Sequence, residues 1–190
     1  MGFAKLKTKI SVEDYLAGEE ISPVKYEYIY GEVYAMAGTS DNHNRIVVNL
    51  VTSLSTHLRD SRCEPFAGDI KVRVSSQVYY YPDVLVSCEQ SPENPYFRNE
   101  PILIIEVLSP STQEIDRREK LLFYQQMPSV HEYAVVEQQK MLVEIHRRQP
   151  DGRWITYYFN HENADEEVEF QSVKLTMTLG EIYRRVKFEN

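Results

Sequence analysis

The chain has 190 residues, 42% of them apolar, with a formal net charge of −8, enough for one domain with a substantial core. It holds no run of about 18 apolar residues, so no transmembrane helix is expected, and Met1 to Ile10 lacks the apolar stretch of a signal peptide. The acidic balance weighs against a protein that coats itself with nucleic acid, and Cys63 and Cys88, with no Cys-x-x-Cys spacing, read as reduced thiols of a cytoplasmic protein.

Ser11 and Asp14 have capping-box spacing at the head of a short helix. Tyr26–Ile29 and Glu32–Met36 flank Tyr30-Gly31 as a hairpin. Thr39-Ser40-Asp41-Asn42 is a cluster of N-cap formers, followed by Val47, Leu50, Val51, Leu54 and Leu58 at helical spacing, which predicts a helix over about 42–59. Asp69–Val74 alternates polar and apolar as a half-wet strand does. Pro82–Ser87 and Ile102–Val107 are short, nearly continuous apolar runs suited to central strands, with a loop at 89–100 between them. Ser109-Pro110-Ser111-Thr112 caps a helix over about 112–126. A strand at Tyr133–Val136 follows, then a hairpin of Lys140–Arg147 with Trp154–Phe159 around Pro150-Asp151-Gly152. Val173–Met177 and a helix over about 179–187 end the chain. No repeat or long linker interrupts residues 1–190, which read as a single domain of mixed sheet with packed helices, α/β or α+β.

The chemistry centres on two acids. Asp83 opens one apolar run and Glu106 closes the next, 23 residues later. A carboxylate in a strand covered on both faces costs several kcal/mol, roughly, unless a cation or hydrogen bonds compensate. If the two strands pair antiparallel, the start of one lies beside the end of the other, and period-two alternation lets both acids project from one end of the sheet. Two carboxylates and a neighbouring backbone carbonyl, that of Val107, suit Mg²⁺. The alternative reading has Asp83 capping a loop and Glu106 paired with a basic residue.

Lys120 shares a stripe with Asp116 at i−4 and Tyr124 at i+4. It is either an ammonium that orients a water and offsets charge on a phosphorane-like transition state, or half of an exposed Asp–Lys pair. His43 begins the buried stripe of the long helix, as a phosphate or water donor or as a structural histidine. Glu27 is a rim acid or an ordinary hairpin carboxylate. Tyr79-Tyr80-Tyr81 reads as core edge rather than as a base-stacking platform. The absence of Gly-x-Ser-x-Gly, P-loop and His-Glu-x-x-His patterns removes the serine-hydrolase, nucleotide-triphosphatase and zinc-protease readings.

Pro82-Asp83, Glu106-Val107-Leu108-Ser109-Pro110-Ser111-Thr112 and then Asp116, Lys120 and Tyr124 resemble the Uma-type family of small bacterial proteins. The likeness extends upstream to Tyr26-Glu27, Gly31-Glu32 and His43, and downstream to Glu132-Tyr133 and Leu179–Ile182. It implies a restriction-endonuclease-like PD-(D/E)XK fold, a mixed sheet flanked by helices with N- and C-terminal hairpin additions. It further implies Asp83, Glu106 and Lys120 as catalytic residues, with Asp83, Glu106 and the Val107 carbonyl holding Mg²⁺ or Mn²⁺. DNA is then the expected partner, and a homodimer suits cutting both strands of a duplex. One departure stands out. The lysine expected two positions after the glutamate is Leu108 here, so Lys120 must act from the helix. Two functions follow: a metal-dependent endonuclease, or a nuclease fold kept for binding with little or no cleavage.

Overall fold

The computed structural model describes residues 9–36, 38–109, 115–160 and 163–188. Helix α1 (Val12–Ile21) is capped by Ser11, whose hydroxyl accepts the Asp14 N–H. The hairpin β1 (Tyr26–Ile29) and β2 (Glu32–Ala35) follows, then α2 (Asp41–His57), capped by Ser40. Next come β3 (Glu64–Ala67), β4 (Lys71–Ser75), β5 (Val78–Tyr80), β6 (Val84–Ser87), β7 (Phe97–Arg98) and β8 (Pro101–Leu108). A π-helical turn at Ile115–Lys120 runs into α3 (Leu121–Gln126). The chain ends with β9 (Glu132–Glu137), β10 (Val143–Arg148), β11 (Trp154–Phe159), the hairpin β12 (Glu167–Phe170) and β13 (Leu175–Thr178), and α4 (Leu179–Ile182).

Among the described residues the strands form a sheet in the order β11-β10-β9-β8-β6-β3, a second in the order β2-β1-β5-β4-β7, and the β12-β13 pair. In the first sheet β3, β6 and β8 are antiparallel, and β9 lies parallel to β8 after the helical crossover. Because β8 is central, both its faces are covered, and its side chains alternate between two cores. Leu103, Ile105 and Val107 meet Ile46, Leu50 and Leu54 of α2. Ile104 and Leu108 face the opposite way, toward Tyr124, Tyr133 and the inner residues Val72, Val78 and Tyr80 of the second sheet. Each fully buried Leu or Ile contributes about 1.5–3 kcal/mol, so the α2 stripe fixes that helix, and with it His43, against the sheet.

Several expectations are corrected. The strand expected at 69–74 forms as β4 but joins the second sheet. The strand beside β6 is Glu64–Ala67, a short edge strand whose Pro65 sets it apart from an alternating run. The 89–100 loop contains β7, which pairs parallel with β4. The α2 stripe centres on Ile46, Leu50 and Leu54, leaving Val47 and Val51 half-buried. The final helix stops at Ile182 rather than reaching 187, and Arg185 then adopts a left-handed φ of 64°. The capping segment at 110–114 lies outside the described residues. Cys63 and Cys88 are not free thiols. They are bonded to each other, one position beyond the Glu64–Ser87 rung of β3 and β6.

Candidate active site

The β6–β8 ladder ends at the pair Val84–Ile105. One step further, Asp83 stands opposite Glu106, and one more sets Pro82 opposite Val107. Proline has no N–H to donate, so the ladder cannot continue in its ordinary form. The side chains take over. Asp83 Oδ2 accepts the Val107 N–H at 2.7 Å, and Glu106 Oε2 accepts the Asp83 N–H at 3.4 Å. Each strand end thus lends its carboxylate to the backbone of the other, and the two acids are locked side by side.

Glu106 shares its face of β8 with Ile104 and Leu108, the face covered by the π-turn and α3. From that turn Lys120 brings its ammonium to 3.0 Å from Glu106 Oε1, 2.9 Å from Glu27 Oε1 and 3.2 Å from Asp116 Oδ1. The Tyr80 ring lies 5.3 Å from the same nitrogen, within cation–π range, and Tyr124 Oη reaches Glu106 at 3.5 Å. Lys120 is 5% exposed, Asp116 2% and Glu106 3%, which rules out the solvent-facing ion pair considered for Lys120. A π-turn packs one extra residue into its hydrogen-bonded loop and is frequent at functional sites.

Burial pushes the Glu106 carboxyl well above the usual range. The Lys120 ammonium pulls it back, and the Asp116, Asp83 and Glu27 carboxylates push it up again. For Lys120, burial alone would lower the pKa, but Glu106, Glu27 and Asp116 outweigh it and hold the ammonium charged. Burial and the neighbouring Glu106 charge likewise raise Tyr124, keeping it a neutral donor.

Ser40, the N-cap of α2, accepts the His43 N–H at 3.2 Å and so starts the helix with His43 facing inward. His43 Nε2 lies 3.1 Å from Asp83 Oδ2, a bond that requires the Nε2–H form or the imidazolium. Glu27 reaches the cluster from β1 and also accepts the Tyr81 N–H at 3.2 Å. Asp83, Glu106, Lys120, Glu27, His43, Asp116 and Tyr124 therefore converge. Together with Val107, all of these except Tyr124 border a cavity of about 290 Å³, also lined by Tyr34, Met36 and Thr39. Sequence reasoning assigned no role to Tyr34, read Thr39 only as an N-cap former, and set Tyr80 in the core without the contact to Lys120. Only the tyrosine run carried any signal of it.

The donor set suits a hard divalent cation. Four carboxylates surround one ammonium and one imidazole, leaving uncompensated negative charge. Asp116 Oδ1 is buried without a hydrogen-bond partner, despite its 3.2 Å approach to the ammonium. Among the described residues no three His, Cys, Asp or Glu side chains form a ready-made metal cage. Mg²⁺ does not demand one, since it commonly takes one or two carboxylates and keeps several waters.

The β-β-β-α-β core, a mixed sheet with helices packed on it, is a restriction-endonuclease-like α+β architecture. The fold matches a crystal structure from Anabaena variabilis described as "a putative nuclease belonging to DUF820", with a TM-score of 0.73 at 18% identity, covering 92% of this chain and 97% of that one. Residues 12–179 match the model of the Uma2 family, described as "Putative restriction endonuclease", and the chain belongs to that family. Two Synechocystis sp. proteins, both described as uncharacterized, are similar along most of their length. The protein slr1290 is 35% identical over 182 residues, covering 95% of this chain and 94% of its own. The protein sll1609 is 35% identical over 173 residues, covering 88% and 97%. No helix among the described residues is long and apolar enough to cross a membrane.

Proposed function

We propose that the chain is a Mg²⁺- or Mn²⁺-dependent endonuclease that hydrolyses phosphodiester bonds in DNA at the Asp83–Glu106–Lys120 site. The observation that carries this reading is the lateral lock of Asp83 and Glu106 across the end of β6 and β8, with Lys120 buried against Glu106 at 3.0 Å. Asp83, Glu106 and the Val107 carbonyl would hold the ion. When bound, it supplies Lewis-acid stabilisation of the phosphoryl oxygens and makes a nucleophilic water available near neutral pH.

The remaining roles fall to the protein's own groups. Lys120 keeps a fixed positive charge where charge develops on the scissile phosphate, a role preorganised by its three carboxylate contacts. His43 orients Asp83 through the 3.1 Å contact, and Tyr124 braces Glu106 from behind. Asp116 and Glu27 hold the ammonium in place. The substitution of leucine at position 108 leaves this arrangement intact. Position 108 shares the face of Glu106, and Lys120 reaches that same face from the covering helix.

The decisive experiment is cleavage of plasmid and single-stranded DNA with Mn²⁺, comparing the natural protein with Glu106→Ala. Nicking that disappears in the variant supports the reading. Nicking that survives in it places the chemistry elsewhere. Metal binding has its own readout: Mg²⁺ or Mn²⁺ raises the melting temperature, and Asp83→Ala abolishes the rise. A folded protein with no cleavage and no thermal response to either ion supports the binding-scaffold alternative instead.

A further inference from the structure

The C-terminal segment after α4 is stitched along α2 by two asparagines. Asn49 Nδ2 donates to the carbonyls of Ile182 at 2.9 Å and Arg184 at 3.0 Å. Asn42 exchanges two bonds with the Lys187 backbone, at 2.6 and 3.2 Å. Asn42 and Asn49 are seven residues apart on one helix face, so the segment runs about 10 Å along the first turns of α2. It heads toward the helix end that carries His43. Arg185 turns the chain through a left-handed conformation, φ 64°, uncommon for a residue other than glycine.

The outward side chains of this segment are Arg184, Arg185 and Lys187, all exposed. Among the described residues none of them is in an ion pair. Lys187 also lines a cavity of about 670 Å³ with Asn42, Gln138, Gln139 and Arg45, the last paired with Asp41 at 3.1 Å. That cavity backs onto the catalytic one. Ser40 donates to Gln138 Oε1, and Gln138 Nε2 donates to the Leu108 carbonyl at 2.6 Å. This Ser40–Gln138–Leu108 bridge lies between them, for Thr39, His43, Val107 and Ser109 all face the catalytic side.

A free run of cations on a chain of net charge −8 is not what solubility requires. Its spread along a line rather than around a point suits a polyanion, and about 10 Å of duplex carries roughly six phosphate charges. We propose that Arg184, Arg185 and Lys187 form the track along which the nucleic-acid backbone runs into the catalytic cavity. The assignment rests on the nucleic-acid reading of that site and names the surface through which the substrate is held. The net negative charge of the whole chain opposes a polyanion, and this strip sets its approach.

The test is fluorescence-anisotropy binding of a short labelled DNA duplex in EDTA across a salt series. The comparison is between the natural protein and Arg184→Gln/Arg185→Gln/Lys187→Gln. Each lost phosphate contact removes about 0.9 from the slope of log K against log salt concentration. The triple variant should therefore lose roughly 2–3 in slope and at least about tenfold in affinity at moderate salt. The control is Arg59→Gln/Arg62→Gln/Lys174→Gln, which makes the same charge change at the far end of α2 and should leave the slope unaltered. Unchanged melting temperatures exclude misfolding as the cause. Equal slopes for the two triple variants, or no salt-dependent duplex binding by the natural protein, overturn the assignment. Loss of Mn²⁺-dependent cleavage alone, with the strip's salt dependence intact, would instead fault the hydrolytic reading and leave the track standing.

Discussion

Asp83 Oδ2 accepts the Val107 N–H at 2.7 Å, where a residue other than Pro82 would have continued the strand ladder. The same oxygen takes the His43 contact at 3.1 Å. The carboxylate is thus both a structural bridge between β6 and β8 and one of the two acids assigned to the metal, and substitution can separate the two roles. Asp83→Asn keeps an acceptor for Val107 and should leave the metal-free melting temperature within a few degrees of the natural protein. Asp83→Ala strands a buried N–H, which costs about 1–3 kcal/mol, and should melt several degrees lower. Both should lose the upward shift with Mn²⁺. Retention of that shift in Asp83→Asn would show that this carboxylate's charge is not needed for the ion.

Lys120 is the only cation within reach of Glu106, Glu27 and Asp116 among the described contacts. Its removal leaves buried negative charge uncompensated, so Lys120→Met should be destabilising by roughly 3–5 kcal/mol at neutral pH. The sign of the pH dependence follows. Burial already raises the Glu106 carboxyl, and loss of the ammonium raises it further. The defect should therefore shrink as the pH falls and Glu106 takes up a proton. Adding Glu106→Gln to Lys120→Met should recover part of the lost stability at pH 7, measured by urea unfolding of the four proteins of the cycle. Purely additive losses would mean that the two side chains are not coupled.

The acid pair was legible because few sequence patterns place carboxylates at the adjoining ends of two apolar runs, and antiparallel pairing of those runs then fixes their adjacency. Lys120, Asp116 and Tyr124 were legible as a spacing, although the π-turn that delivers them was not, since a 3.6-residue period does not reveal an inserted residue. Other features depended on long-range partners. The Glu167–Phe170 strand alternates exposed glutamate with buried Val168 and Phe170, a run too short to stand out without its partner Leu175–Thr178. The disulfide required knowing that Glu64–Ala67 forms a strand beside β6. The end of α4 carries no glycine or proline. It is set by the Asn42 and Asn49 contacts that draw the segment onto α2, and nothing local announces them.

His146 on β10 is stacked against Tyr133 with ring centroids 6.0 Å apart. Its Nδ1 lies 2.8 Å from Thr156 Oγ1, while Nε2 is buried without a partner. Burial lowers its pKa. Glu144 opposes that and Arg117 reinforces it, with a net downward direction. A histidine depressed in the folded state binds its proton more readily when unfolded, so stability is full above the unfolded value of about 6.5 and falls as the pH drops below it. Melting temperatures of the natural protein should decline between pH 7.5 and 5.5 more than those of His146→Gln. Equal declines would assign the acid sensitivity to other groups.

Cys63 and Cys88 close a loop of 25 residues in sequence separation, tying edge strand β3 to the end of β6 remote from Asp83. On the chain-entropy account, a loop of that length stabilises the fold by about 3.5 kcal/mol, less whatever geometry costs. Cys63→Ser/Cys88→Ser should therefore lower the denaturant midpoint, and a reductant should lower that of the natural protein but not of the double variant. The Mn²⁺ thermal shift should persist in both cases. The strand that carries Asp83 is held at its other end by the Asp83–Val107 bond and by the rungs Val84–Ile105, Leu85–Ile104 and Val86–Leu103, none of which passes through the sulfurs. If reduction instead removes the metal response, the two ends of β6 are coupled, and the edge strand has a part in shaping the site.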